Sequence, residues 1–116
     1  MSNLQAELST HQERESEYQT AFVKILQKIG AKCVGIVSIE INRTFRPPVV
    51  EISALYKYPG IETSHWIYYL PRTKRLTVFD QKAAGKLKVL ISKDYSSKKN
   101  SYSFKGINLM NLINKI

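Results

Sequence analysis

The sequence predicts an α+β domain in which an N-terminal amphipathic helix packs on an antiparallel meander of four to five strands, followed by a C-terminal helical segment. The chain has 116 residues, which is room for one compact domain. The spacing of its apolar residues changes from three and four near the N-terminus to two beyond Lys32. No linker-like stretch divides it. We therefore expect residues 1–116 to form a single basic domain, with residues 1–9 frayed.

The first predicted element is a helix from residue 10 to residue 29. Thr10 and Glu13 fit a capping box, and Gly30 is a natural C-cap. Apolar side chains recur at spacings of three and four, which places them on one face of the helix. This apolar face must pack against another part of the protein. It is formed by Tyr18, Phe22, Ile25, Leu26 and Ile29.

Four strands are predicted between Lys32 and Phe79. Apolar and polar side chains alternate along residues 33–41 and 50–57, and Pro- and Gly-containing turns follow each run. Residues 65–70 and 76–79 are predicted as two more strands joined by a short basic connection. Consecutive strands with short connections favour an antiparallel meander.

The segment from residue 81 to residue 92 fits two alternatives. A helix capped by Asp80 is slightly favoured, but apolar residues between lysines also fit a strand. Residues 95–103 are expected to form a polar loop, and residues 109–116 a short amphipathic helix. If the helices cover one face of the sheet, the other face is left to solvent or to a partner.

Composition argues against several classes of protein. The longest apolar runs, such as residues 66–70, are far shorter than the roughly 18 residues of a membrane-spanning helix. The acidic N-terminus lacks the features of a signal peptide, so we expect a cytoplasmic protein with no membrane partner. Two histidines and one cysteine supply no metal-ligand pattern, and the five glycines are isolated. We expect no metal and no cofactor.

No catalytic residue is expected, and the chain is interpreted as not being an enzyme. His11 and His65 are the candidate bases, and neither has a recognisable nucleophile partner. Asp80 and Lys82, taken with Glu51, faintly imitate the carboxylates and lysine of metal-dependent nucleases. A degenerate nuclease-like fold is kept as a remote alternative.

Net charge is the global feature that stands apart. Eighteen Lys and Arg against nine Asp and Glu give +9. The net charge is −3 over residues 1–20, +3 over residues 21–63 and +9 over residues 64–116. The last segment contains eleven basic residues and two acidic ones. A concentrated basic segment favours contact with phosphates.

We therefore interpret the chain as a small protein that binds DNA or RNA mainly through phosphates, using its basic C-terminal half. Candidate residues for stacking on bases are Trp66, Tyr69 and Tyr102. The interpretation requires the cations to share one continuous surface. The predicted phosphate contacts begin at a hairpin tip and continue along the chain: Arg72, Lys74, Arg75, Lys82, Lys86, Lys88, Lys98 and Lys99.

A different class of function remains open. The chain also fits a protein-interaction module, either an accessory factor or an inhibitor, that binds an acidic partner through its basic face or adds its sheet edge to another sheet. The acidic residues 1–20 suit a homodimer in which they pair with the basic half of a second copy.

Overall fold

A computed structural model describes residues 3–116 and confirms the α+β class. Within these residues the chain forms four helices, none long and apolar enough to cross a membrane, and one six-stranded antiparallel sheet. The helices are α1 (Leu4–Gln12), α2 (Glu15–Lys28), α3 (Gln81–Ile91) and α4 (Leu109–Ile113). The strands are β1 (Lys32–Asn42), β2 (Val49–Lys57), β3 (His65–Leu70), β4 (Arg75–Val78), β5 (Tyr95–Lys98) and β6 (Ser101–Phe104). Their order is β1-β2-β3-β4-β6-β5.

The predicted N-terminal helix is in fact two helices, α1 and α2, separated at residues 13–14. The hydroxyl of Thr10 donates to the carbonyl of Ala6 at 2.9 Å within α1, so the capping box proposed for Thr10 is wrong. Residues 4–9, expected to be frayed, form most of α1. The same expectation for residues 1 and 2 lies outside the described residues.

All four helices contribute to one hydrophobic core on one side of the sheet. In the strands, every second residue points to this core, so the intervening side chains point to the opposite face. We call that opposite side the open face, because no helix among residues 3–116 covers it. α2 buries four of the five side chains that the spacing predicts, and the fifth, Ile29, is buried directly after the helix. α2 also buries Ala21, which was not predicted. The four are Tyr18, Phe22, Ile25 and Leu26.

The ambiguous segment after β4 is a helix, α3, as the sequence slightly favours. The Asp80 side chain caps it by accepting a hydrogen bond from the backbone N–H of Lys82 at 3.1 Å. This satisfies one of the N–H groups that a helix leaves without an internal partner.

The prediction of a polar loop at residues 95–103 is wrong, because these residues belong to the β5–β6 hairpin. β6 pairs with β4, so the hairpin extends the sheet by two strands beyond the meander. The segment is polar because β5 is an edge strand and few of its side chains reach the core. Tyr95, Tyr102 and Phe104 point to the core side, and Phe104 is fully buried.

The end of α2 depends on Gly30, whose φ is +78°. Its N–H donates to the carbonyl of Gln27 at 3.1 Å, and the N–H of Ala31 donates to that of Leu26 at 2.8 Å, which together form a Schellman motif. A side chain in this left-handed conformation is strained. We expect Gly30→Ala to lower the free energy of unfolding by about 1 kcal/mol, measured by urea denaturation.

Gly85 provides the matched control, because it lies inside α3 with ordinary helical backbone. A Cβ added there meets nothing within 4 Å. Gly85→Ala is therefore expected to raise the free energy of unfolding by about 0.5 to 1 kcal/mol. Stabilisation by both substitutions would contradict the left-handed turn at Gly30.

Candidate nucleic-acid interface

The structure distributes the predicted cations over several parts of the surface. Arg72, Lys74 and Arg75 lie at the β3–β4 turn, whereas Lys98 and Lys99 lie at the β5–β6 turn. In the antiparallel register of β4, β6 and β5, these two turns are at opposite ends of the sheet. The lysines of α3 lie on the helix-covered side. The predicted cations therefore do not meet at one end of the molecule.

Several of these cations have partners within the protein. Arg72 Nη2 lies 2.7 Å from Oε2 of Glu7 in an ion pair. Lys86 Nζ donates at 3.0 Å to a backbone carbonyl at the end of α2. Lys88 Nζ lies 3.3 Å from Oδ1 of Asp94. These three side chains are less free to meet a phosphate than the exposed Lys74, Lys98 and Lys99.

Lys82 lies over a tyrosine on the helix-covered side, with its Nζ 4.4 Å from the ring centroid of Tyr58. Burial and the neighbouring Asp80 carboxylate raise the pKa of Tyr58. Glu51 points to the open face instead, so the residue set that suggested a nuclease is not brought together. Among residues 3–116, no three His, Cys, Asp or Glu side chains are placed to hold a metal ion.

Two of the three candidate stacking residues point to the helix-covered side. Tyr69 is 5% exposed, and its hydroxyl donates to the carbonyl of Ile107 at 2.6 Å. Burial raises its pKa. The ring of Tyr102 is half-buried and lies 5.4 Å from that of Tyr95. Tyr69 is a core residue that is not accessible to a base, so its prediction as a stacking residue is wrong. Trp66, in contrast, is 51% exposed on the open face.

Trp66 belongs to a groove on the open face that four aromatic rings line. The other three rings are those of Phe45, Tyr68 and Phe79. Phe79 is 41% exposed, and its ring centroid lies 5.8 Å from that of Tyr68. The groove has a volume of about 350 Å³, and we call it the aromatic groove. Its remaining lining residues are Asn42, Thr44 and Glu51.

The alternation of side chains along β3 explains why Trp66 and Tyr68 line the same groove. Ile67 and Tyr69 point into the core, so Trp66 and Tyr68 point to the open face. Phe79 follows β4, and its N–H donates to the carbonyl of Trp66 at 3.3 Å. Phe79 and Tyr68 were not predicted as site residues from the sequence. Side chains alternate along β3, but both alternating sets are apolar, so the sequence of this strand does not show which set is buried.

Cations flank the aromatic groove. The guanidinium carbon of Arg75 lies 5.7 Å from the ring centroid of Phe45. Lys98 points to the open side of β5, three strands away from Trp66, which is about 14 Å across the sheet. The groove therefore has the positive charge of Arg75 beside it and that of Lys98 across the sheet. Two more exposed cations lie in the loop that carries Phe45: Arg43 and Arg46.

Comparisons with known proteins identify no relative of this chain. It matches no family model, no curated protein and no solved structure. Its function must therefore be inferred from its own surface.

The free edge of β1 is partly occupied by two glutamine side chains. Gln19 accepts from the N–H of Val37 at 2.7 Å and donates to the carbonyl of Gly35 at 3.2 Å. Gln12 donates to the carbonyl of Ile39 at 3.3 Å. A strand added along this part of β1 would have to displace both side chains. The aromatic groove is thus the more accessible surface for a ligand.

Proposed function

We propose that this protein is not an enzyme and binds single-stranded DNA or RNA on the open face of its sheet. Unpaired bases stack in the aromatic groove, and the surrounding cations contact phosphates. The observation that carries the proposal is the aromatic groove itself, which four aromatic residues line on a face that no helix among the described residues covers. Contiguous apolar surface of this kind is typical of a binding site.

Stacking favours single strands over duplexes. Each base stacked on an aromatic side chain contributes about 1 to 3 kcal/mol, and every base offers a π face. In a duplex the bases are stacked on one another, so a groove of aromatic rings gains nothing from them. A surface that acted through phosphates alone would bind both forms, and here several of the cations are already paired.

The roles follow from the positions of the side chains. Trp66, Tyr68 and Phe79 stack on bases, and Arg75 and Lys98 contact phosphates on either side. Such a contact set carries little sequence information by itself, because every nucleotide has a phosphate and a π face. The remaining free lysines of the two turns extend the phosphate contacts.

The single tryptophan makes a direct test possible, because its fluorescence reports only on the groove. We expect a single strand of about ten nucleotides to quench Trp66 at low, fixed salt. A duplex of the same sequence is expected to bind more weakly with little quenching. Equal binding of the two forms without a fluorescence change would contradict the stacking role, and no binding at low salt would overturn the proposal.

A protein partner is the second candidate, favoured by exposed apolar side chains on β1. Ile36 is 77% exposed and Val34 is 38% exposed. Val34 pairs with Leu55, and Leu55 pairs with Trp66, so an apolar row runs from β1 to the groove. Capture of one protein from a nuclease-treated extract, lost in Ile36→Ser, would favour this candidate if oligonucleotides do not bind.

A further inference from the structure

Of the described residues that line the aromatic groove, one is acidic. This residue, Glu51, is held by a short chain of hydrogen bonds. The backbone N–H of Thr44 donates to Oδ1 of Asn42 at 2.9 Å, which sets the orientation of the amide. Asn42 Nδ2 then donates to Oε2 of Glu51 at 2.9 Å. Glu51 also borders a second depression of about 240 Å³, lined in part by Glu40 and Arg43.

A carboxylate beside a nucleic-acid strand repels phosphates, so Glu51 is unsuited to a backbone contact. It forms no ion pair with any Lys or Arg in the part of the chain that the structure describes. Its oxygens are hydrogen-bond acceptors, and Oε1 is not used by Asn42. The group that suits it is the donor edge of a base.

We propose, on the basis of the proposed function, that Glu51 makes the aromatic groove select guanine. Guanine alone has two adjacent donors on its Watson–Crick edge, N1–H and the N2 amino group, which match the two oxygens of a carboxylate. In adenine and cytosine a ring nitrogen acceptor stands beside the amino group. In thymine and uracil two carbonyls flank N3–H. A carboxylate repels those acceptors.

The register of the sheet places Glu51 within reach of a stacked base. Ser53 pairs directly with Tyr68, and Glu51 is the next side chain along β2 on the same face. Diagonal neighbours of this kind are about 7 to 8 Å apart, still within reach of long side chains. A purine stacked on the ring of Tyr68 can therefore direct its edge towards the carboxylate of Glu51.

The test compares an oligothymidylate of about ten nucleotides with the same strand carrying one central guanine or one central hypoxanthine. Hypoxanthine keeps N1–H and lacks the amino group. Dissociation constants are measured by anisotropy of an end-labelled strand at fixed low salt. We expect the guanine strand to bind about 5- to 100-fold more tightly than the thymine strand, with hypoxanthine between them.

Glu51→Gln is expected to remove most of this preference. The amide oxygen keeps the bond to Asn42, so the groove stays formed, but its NH₂ group opposes the donors of guanine. Glu40→Gln is the matched control, because it removes the same charge on the neighbouring strand while Glu40 does not line the aromatic groove. The guanine preference is expected to persist in this variant.

Two results would overturn the inference while leaving the proposed function intact. One is equal binding of the three strands by the unchanged protein, and the other is a guanine preference that persists in Glu51→Gln. If none of the strands binds at low salt, the proposed function fails and this inference fails with it.

Discussion

Trp66→Ala is expected to weaken the binding of single-stranded oligonucleotides about 5- to 150-fold, which corresponds to the loss of one stacked base. Trp66 is half exposed and outside the hydrophobic core, so the fold should remain intact. The measurement is the anisotropy of an end-labelled strand, because this variant has no tryptophan. Phe79→Ala is expected to act in the same direction. The two effects need not add, since the backbones of Trp66 and Phe79 are hydrogen-bonded neighbours.

Val89→Ala is the matched control for the loss of an exposed apolar side chain. Val89 is 82% exposed on α3, on the helix-covered side of the sheet. Its substitution is expected to leave the affinity for single strands unchanged. If Trp66→Ala binds as tightly as Val89→Ala, the aromatic groove is not the stacking site.

Phe104→Ala is expected to lower the free energy of unfolding by about 3 to 5 kcal/mol. Phe104 is fully buried at the end of β6, pairs with Leu76 and has its ring 5.5 Å from that of Tyr95. Removing the ring leaves a cavity between the hairpin and the core. A loss of this size is a large share of the about 5 to 15 kcal/mol that stabilises a typical domain. Urea denaturation followed by Trp66 fluorescence measures it.

Lys98→Ala tests the same hairpin at an exposed position and is expected to change the free energy of unfolding by less than about 0.5 kcal/mol. If Phe104→Ala unfolds the protein completely, Phe104→Leu keeps the comparison measurable, with an expected loss of about 1 to 2 kcal/mol. An effect of either Phe104 substitution as small as that of Lys98→Ala would mean that the segment is a loop, as its polar sequence suggests.

Local patterns predict much of this fold because their physical causes are local. Gly30 ends α2 because its backbone adopts a left-handed conformation, and Asp80 caps α3 through its own side chain. The β5–β6 hairpin is different. Its strands contain mostly serine, lysine and tyrosine, and they become strands because β4 offers an edge on which β6 can pair.

The candidate site was only partly predictable. Trp66, Arg75 and Lys98 were predicted from aromatic and basic character and do lie on the open face. The pairing of Arg72 with Glu7 joins residues far apart in the chain, so no local pattern reveals it. Phe45 lies beside Arg75 and lines the groove together with Trp66, and this long-range arrangement was not predicted.

The sequence by itself determined the α+β class and the antiparallel order of β1 to β4, because apolar periodicity and turn chemistry act over a few residues. Only the tertiary structure decided which side of β3 is exposed. Both phases of that strand are apolar, with Trp66 and Tyr68 in one and Ile67 and Tyr69 in the other. The choice depends on which phase packs into the core to which the helices contribute, and that core is formed between segments distant in the chain.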